Sequence, residues 1–237
     1  LAEGLLTLTD SLVSGNTAEN GRAGGIWISR AAELAVANTT VSGNAADRAG
    51  GGLYFDGNTN TASLVNATIS NNRADRNGTT GQLGGGIYAA TPSVLLENTI
   101  VAGNFTGVDT AASDIEGIVD PASTRTLVQD TGTAGGLSDG VGGNKIGVDP
   151  LLGPLQDNGG RSHTHALLPG SPAIDAGDNA LALAADGEPL WLDQRRFEND
   201  HSIEYDRVVN LHVDMGAFEL QQPGGELHGR KWFDLNQ

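Results

Sequence analysis

Five residues after each of Ser14, Ser42 and Ser70 stands an acid: Glu19, Asp47 and Asp75. Hard carboxylate oxygens repeated on one spacing suit a calcium ion, provided the chain stacks them. The next column holds Arg48 and Arg76, which would neutralise the same acids at a surface, and this plainer reading is preferred. A second set is aromatic. Trp27, Tyr54 and Tyr88 each lie between apolar neighbours, Ile26 and Ile28, Leu53 and Phe55, Ile87 and Ala89, so strand alternation turns the rings outward. Such a row would stack on sugar faces; the preferred rival is that the rings stack on one another, since exposed aromatics need no function. Ser162, His163, His165 and Asp175 have the side chains of an acyl-transfer triad, but Ser162 does not stand in a G-x-S-x-G elbow and a structural role is expected. Asp109, Asp114, Glu116 and Asp120 crowd an irregular stretch with only Arg125 nearby, which reads as a solvated loop or a weak cation site. Glycosidic chemistry needs converging carboxylates on rigid elements. Segments 6 to 16, 34 to 44, 62 to 72 and 94 to 104 contain only Asp10 and Glu97 as charged residues, so no catalytic residue is assigned.

The elements that must position these residues are written as a repeat. VANTTVSGN (36 to 44) has near copies in LTDSLVSGN, LVNATISNN and LLENTIVAGN, and the anchors Ser14, Ser42, Ser70 and Ala102 stand 28, 28 and 32 residues apart. That period is in the solenoid range. Leu6 and Leu8, Leu34 and Val36, Ala62 and Leu64, Val94 and Leu96 alternate as strands with one buried face, and Val13, Val41, Ile69 and Val101 add a second inward column. Two Asx columns flank the anchors: Asp10, Asn38, Asn66 and Asn98 before, Asn16, Asn44, Asn72 and Asn104 after. Asn tolerates left-handed backbone and suits a corner, and stacked amides bond as a ladder. Each period closes on a glycine run before a third strand, GGIWI, GGLYF and GGIYA. Three short strands and three corners per period predict coils stacked about 4.8 Å apart. The fold class is all-β, a parallel β-helix, right-handed by crossover chirality, with insertions gathered at one corner.

Composition agrees. With 237 residues, 35 Gly, 5% aromatics and one Met, the chain has the material of strands and turns and not of a helical bundle. A formal charge of −16 with no basic stripe would repel a phosphate backbone, so nucleic acid is not an expected partner. The absence of Cys excludes disulfides, thiolate metal sites and a Cys nucleophile. No apolar run approaches the roughly 18 residues of a membrane span. Leu1 opens without Met or a signal-like segment, so the chain reads as a piece of a longer one.

The pairing of aliphatic-x-x-Asn with GG[IL] resembles the repeat of bacterial polymorphic outer-membrane proteins and related right-handed β-helix surface proteins. Residues 149 to 219, with DPLLGPLQDNGG, HALLPGSPAIDAGD, DQRR and VDMGAFE, resemble the C-terminal part of bacterial choice-of-anchor Q domains. The stretch DQRRFENDHSIEYDRVVNLHVDMGAFE is longer and more charged than that family's short DQRG link. Asp175, Asp193, Asp214 and Glu219 fall on the motif positions of this resemblance and, with Arg195, are expected to close the end of the solenoid. ELHGRKWFDLNQ resembles the first strand of B-type repeats in serine–aspartate-repeat adhesins, and Asp234 and Asn236 match the start of their calcium loop. The organisation expected is coils over 1–148, a C-terminal cap over 149–221, and a linker with the first strand of another module over 222–237.

These resemblances imply a secreted or surface-displayed bacterial protein. The expected function is a non-catalytic structural or adhesive module, partnered by polysaccharide or other cell-surface components and by neighbouring domains of the same chain. Its rivals are a polysaccharide-active lyase, hydrolase or epimerase and a glycan-binding module. No cofactor is required, and calcium is the ion the acids would suit.

Overall fold

The computed structural model describes residues 4–29, 32–57, 61–79, 81–91, 93–108, 111–197, 204–209 and 211–221. Backbone in its main part winds as a parallel β-helix. In the long sheet, Leu5–Thr9 and Leu12–Ser14 pair with Glu33–Ser42. That strand pairs with Thr61–Ser70, which pairs in turn with Val94–Glu97 and Ile100–Ala102. Leu127–Val128 and Lys145–Ile146 continue the stack. A second sheet stacks Ile26–Ile28, Leu53–Phe55, Ile87–Ala89 and Ile115–Gly117. A third, of two-residue strands, stacks Thr17–Ala18, Ala45–Ala46, Arg73–Ala74 and Phe105–Thr106, and ends in the antiparallel Ala111–Ala112. Among the described residues no helix is long and apolar enough to cross a membrane.

The repeat sets the register. Val13, Val41, Ile69, Val101 and Val128 pair in succession and form one vertical file. Leu34, Leu53, Phe55, Leu64, Ile69 and Ile87 are buried in a single core cluster. A parallel stack has no edge inside it, so its strands carry apolar side chains inward at every coil.

The two Asx columns do different work. Asp10, Asn38, Asn66 and Asn98 adopt φ of 51°, 46°, 46° and 48°, the left-handed corner that Asn and Asp accept most readily after Gly. In the other column the corner residue is the one before the expected Asn: Gly15, Gly43, Asn71 and Gly103, with φ of 69°, 67°, 57° and 65°. The Asn itself is freed to turn inward. Asn16 Nδ2 donates to Asn44 Oδ1 at 2.9 Å, Asn44 to Asn72 at 2.9 Å, and Asn72 to Asn104 at 3.0 Å. Each Oδ1 also accepts the backbone N–H of the preceding rung at 3.0–3.1 Å. The second Nδ2 hydrogen reaches back to a carbonyl, Val13, Val41 or Ile69. Asn104 then donates to Asp114 Oδ1 at 2.9 Å. Asp114, expected in a solvated loop, is instead buried and accepts the ladder's last rung.

The glycine runs answer this ladder. A Cβ on Gly51 would lie 2.4 Å from the Arg73 backbone, and one on Gly86 would lie 2.8 Å from the Asn104 amide. Only a bare Cα allows the run to close on the corner of the next coil.

After Lys145–Ile146 the chain leaves the stack and packs along its side. The antiparallel pair Leu152–Gln156 and Thr164–Leu167 and the pair Leu192–Phe197 and Glu204–Asp206 belong to this region. Leu167, Ala173, Met215 and Phe218 pack on Ile100, Ala102 and Leu127 of the long sheet. Ala182, Leu190 and Val213 pack on Ala37 and Val65. The capping region therefore covers the outer face of the long sheet across several coils, not the end of the solenoid. Residues 222–237, with Asp234 and Asn236, lie outside the described residues.

Asn72→Ala takes from the Asn104 carboxamide oxygen and the Val41 carbonyl the side-chain donor they share, and from the Asn44 donors their acceptor. A loss of about 3 kcal/mol or more is expected by urea denaturation. Asn71→Gly, at a left-handed position on the surface, is expected to leave the midpoint unchanged or slightly raised.

Candidate functional site

The constellations named from the sequence that fall among the described residues each have a definite place in the fold. The aromatic column pairs in register, Trp27 with Tyr54 and Tyr54 with Tyr88. Tyr54 and Tyr88 stack with centroids 4.9 Å apart and planes at 13°, and Trp27 meets Tyr54 edge-on at 5.9 Å. Arg22 lies 5.4 Å from the Tyr54 centroid. Tyr54 is buried, Tyr88 half-buried and Trp27 exposed. The rings thus stack on one another, the preferred of the two readings, and of the three Trp27 is the one most open to solvent.

The acid column does not converge. Glu19 is exposed, whereas Asp47 and Asp75 are buried. Asp47 Oδ1 accepts from Arg76 Nε at 2.8 Å and Oδ2 accepts from the Asn20 N–H at 2.8 Å. The Arg76 hydrogen bond, followed by that of Asn20, holds the Asp47 carboxyl below its ordinary value. Asp75 folds back onto its own loop, accepting from Thr79 and Gly81 N–H at 3.0 and 2.8 Å. The two carboxylates serve a guanidinium and a loop, and the neutralising partner is Arg76, while Arg48 is exposed. Among the described residues no group of three or more His, Asp or Glu side chains is disposed to hold a metal.

The motif acids of the C-terminal region form one connected network. Arg195 Nη2 and Nε donate to Asp193 Oδ2 at 2.6 and 2.9 Å, and Nη2 also reaches the Glu219 carbonyl at 2.7 Å. The guanidinium lies between the rings of Tyr205 and Phe218, 3.9 Å from each centroid, a doubled cation–π contact in a buried setting. Asp214 accepts from the Asp175 and Leu220 N–H groups at 2.7 Å each, and Glu219 Oε2 accepts from the Asp214 N–H at 2.8 Å. Burial pushes the Asp214 carboxyl up to about 6, against the pull of those backbone donors and of Arg207.

Arg207 was not singled out by the sequence reading. It is wholly buried, with Nη2 donating to Asn38 Oδ1 at 2.6 Å and to the Ala217 carbonyl at 2.8 Å, and Nη1 to the Gly216 carbonyl at 2.9 Å. Its Nη1 stands 3.6 Å from Glu219 Oε2. It lies in the long charged link that departs from the short DQRG form, and that departure is the signal that marks it.

The corner Asn residues turn their amides to this region. Asn38 donates to the Leu192 carbonyl at 2.7 Å, Asn66 to the Asp214 carbonyl at 3.2 Å, and Asn98 exchanges two bonds with the Asp178 backbone at 2.8 and 2.9 Å. Thr40 donates to Gln194 Oε1 at 2.6 Å, and Thr68 accepts from the Ala217 N–H at 3.0 Å. Ser162 accepts from Gln194, and His165 meets Ser42 of the second coil. Asp175 is exposed and touches neither, so the triad types are dispersed. Asp120 binds the Ala122 N–H and Glu116 follows Tyr88 in register; residue 109 is outside the described residues.

Two grooves flank the covered face. One, of about 410 Å³, runs over the uncovered part of the long sheet between Thr7, Ala35, Ser63 and the Ala184–Gly187 loop. Its lining carboxylates are Glu33 and Glu97, four residues apart along the strand and two coils apart, roughly 16 Å by strand and coil spacing. Paired acids in sugar hydrolysis stand at about 5 to 9.5 Å. Burial raises the Glu97 carboxyl, but among the described residues lining the groove no acid partner stands within reach. The other, of about 560 Å³, lies between the Ser42, Ser70, Asn71 and Gly103 corner and the Leu152–Gln156 strand.

Residues 3–119 match the family model described as a right handed beta helix region. That span covers the first four coils and agrees with the handedness expected from crossover chirality. Comparisons with curated proteins and with solved structures found no match.

Trp27→Ala is expected to leave the thermal midpoint within a degree or two, whereas Tyr54→Ala, which removes the sandwiched ring, costs about 3 kcal/mol or more. Asp214 binds its proton more tightly folded than unfolded. Its contribution is complete below about pH 4, the ordinary carboxylate value, and is lost as pH rises through 6. In urea titrations at pH 4 to 7, the stability of the parent relative to Asp214→Asn should therefore be greatest at pH 4 and decline towards pH 7.

Proposed function

We propose that this right-handed β-helix is a structural and adhesive module of a large bacterial secreted or cell-surface protein. The observation that carries the reading is the lateral covering of the long sheet. Three successive coils turn Asn38, Asn66 and Asn98 into bonds with the C-terminal region, and apolar side chains fill the space between. A sheet packed on both faces and laddered through its corner is stiff along its axis, as a stalk or display surface must be. The resemblance of residues 149 to 219 to choice-of-anchor Q domains supports export and surface display, as does that of the repeats to polymorphic outer-membrane proteins. The strand faces supply hydroxyls, small side chains and well-separated acids, the material of contact and not of glycosidic cleavage.

Polysaccharide is the partner class this surface suits best. Trp27 offers one exposed ring, and the groove beside Thr7, Ala35 and Ser63 is lined by hydroxyls and small side chains with two well-separated acids, Glu33 and Glu97. Incubation of the purified chain with a panel of cell-surface polysaccharides should give retention without release of reducing ends or unsaturated products. Robust release of either would replace this reading with that of a glycan-cleaving enzyme. Trp27→Ala should weaken any retention at least threefold; unchanged retention would remove the ring from the contact.

A further inference from the structure

The second groove holds a pair of side chains, Ser42 and His165, whose geometry could do more than join the C-terminal region to the coils. His165 sits on the Thr164–Leu167 strand, buried, with Nδ1 2.7 Å from the Gly153 carbonyl and Nε2 2.9 Å from Ser42 Oγ. A carbonyl only accepts, so Nδ1 carries the proton and Nε2 presents its lone pair to the Ser42 hydroxyl. The imidazole is thereby fixed in the tautomer and direction of a general base, by a main-chain oxygen where a carboxylate stands in the familiar triads. Burial, opposed by the Gly153 bond, keeps the ring below its ordinary value and hence neutral at pH 7.

The surroundings suit an incoming carbonyl compound. Ser42 and His165 both line the groove, facing Pro154 and Leu155. Ser70 pairs in register beside Ser42, with Asn71 next in the chain. Neither the Ser70 hydroxyl nor the Asn71 amide has a hydrogen-bond partner among the described residues, so both are available as donors to a developing oxyanion. Gly43 has open space where a side chain would stand, and Ser42, buried beside it, meets the groove at this corner.

We propose that Ser42 and His165 form an acyl-transfer site for short-chain carboxylic esters, an activity beyond the scaffold reading. Ser42 Oγ attacks the ester carbonyl carbon as its proton passes to His165 Nε2. The tetrahedral adduct collapses, the C–O bond to the alcohol breaks, and His165 returns the proton to the leaving oxygen. Water then attacks the Ser42 ester with His165 again as base, releasing the carboxylic acid and restoring the hydroxyl. Glycosidic bonds are untouched, so this activity and the absence of polysaccharide cleavage are measured independently.

The test uses the full chain with p-nitrophenyl acetate and a fluorophosphonate probe. Expected are a burst of one p-nitrophenolate per chain and a single adduct mapped by mass to Ser42. Ser42→Ala and His165→Gln should each lower turnover at least 100-fold, while Ser14→Ala, in the same column but outside the groove, keeps it. Circular dichroism and thermal midpoints establish that the variants are folded, and adduct mapping on the unaltered chain needs no variant. No burst, no adduct, an adduct at another residue, or turnover that survives Ser42→Ala overturns the proposal.

Discussion

The amide ladder from Asn16 to Asp114 is the constraint on which the rest of the molecule depends. A buried carboxamide has four hydrogen-bonding sites, and leaving one unpaired costs as much as several good contacts return. Here each interior rung satisfies all of them with the coils above and below. This fixes the spacing, the register and the corner at one stroke, because a slip by one residue would unpair every amide at once. The glycine runs follow from it, as only a backbone without a side chain fits against the rungs.

The second constraint is the long sheet's outer face. In many stacked folds such a face is polar and open to water; here Thr40, Thr68, Asn38, Asn66 and Asn98 are buried under the C-terminal region and bonded to it. The region in turn depends on charge buried in itself. Arg207 and Arg195 carry its backbone carbonyls, with Asp193 and Glu219 as counterions. Removing one member would leave the others charged and unpaired in the interior, so the covering is made of parts that are stable only together.

Much of this was legible in the sequence, because a solenoid writes its contacts at a fixed period. The coils, the inward files and both Asx columns follow from the spacing of Ser14, Ser42, Ser70 and Ala102. What was not legible lies off that period. Asp114 follows Asn104 by ten residues, so nothing in the repeat marks it as the next rung. The left-handed residue at one corner is displaced to Gly15, Gly43, Asn71 and Gly103, a distinction of backbone angle that residue type alone does not make. Sequence order places the motif acids last and so points to the end of the solenoid, whereas packing places them on its side. The meeting of Ser42 with His165 spans 123 residues, and no local pattern announces such a contact.

The ladder also has a sign. Every rung gives one Nδ2 hydrogen to the oxygen of the following coil and accepts with its own oxygen from the preceding one, so these amide–amide bonds all run in one direction along the axis, as peptide bonds do along a helix. The positive end of this array falls on Asp114, which accepts two hydrogen bonds from Asn104 and has no hydrogen to pass on when ionised. Exchanging one amide nitrogen for an oxygen thus terminates the series, at a carboxyl that burial holds above its ordinary value against the pull of the Asn104 bonds. In this molecule the direction of the solenoid is an electrostatic property of its side chains as well as a geometric one of its backbone.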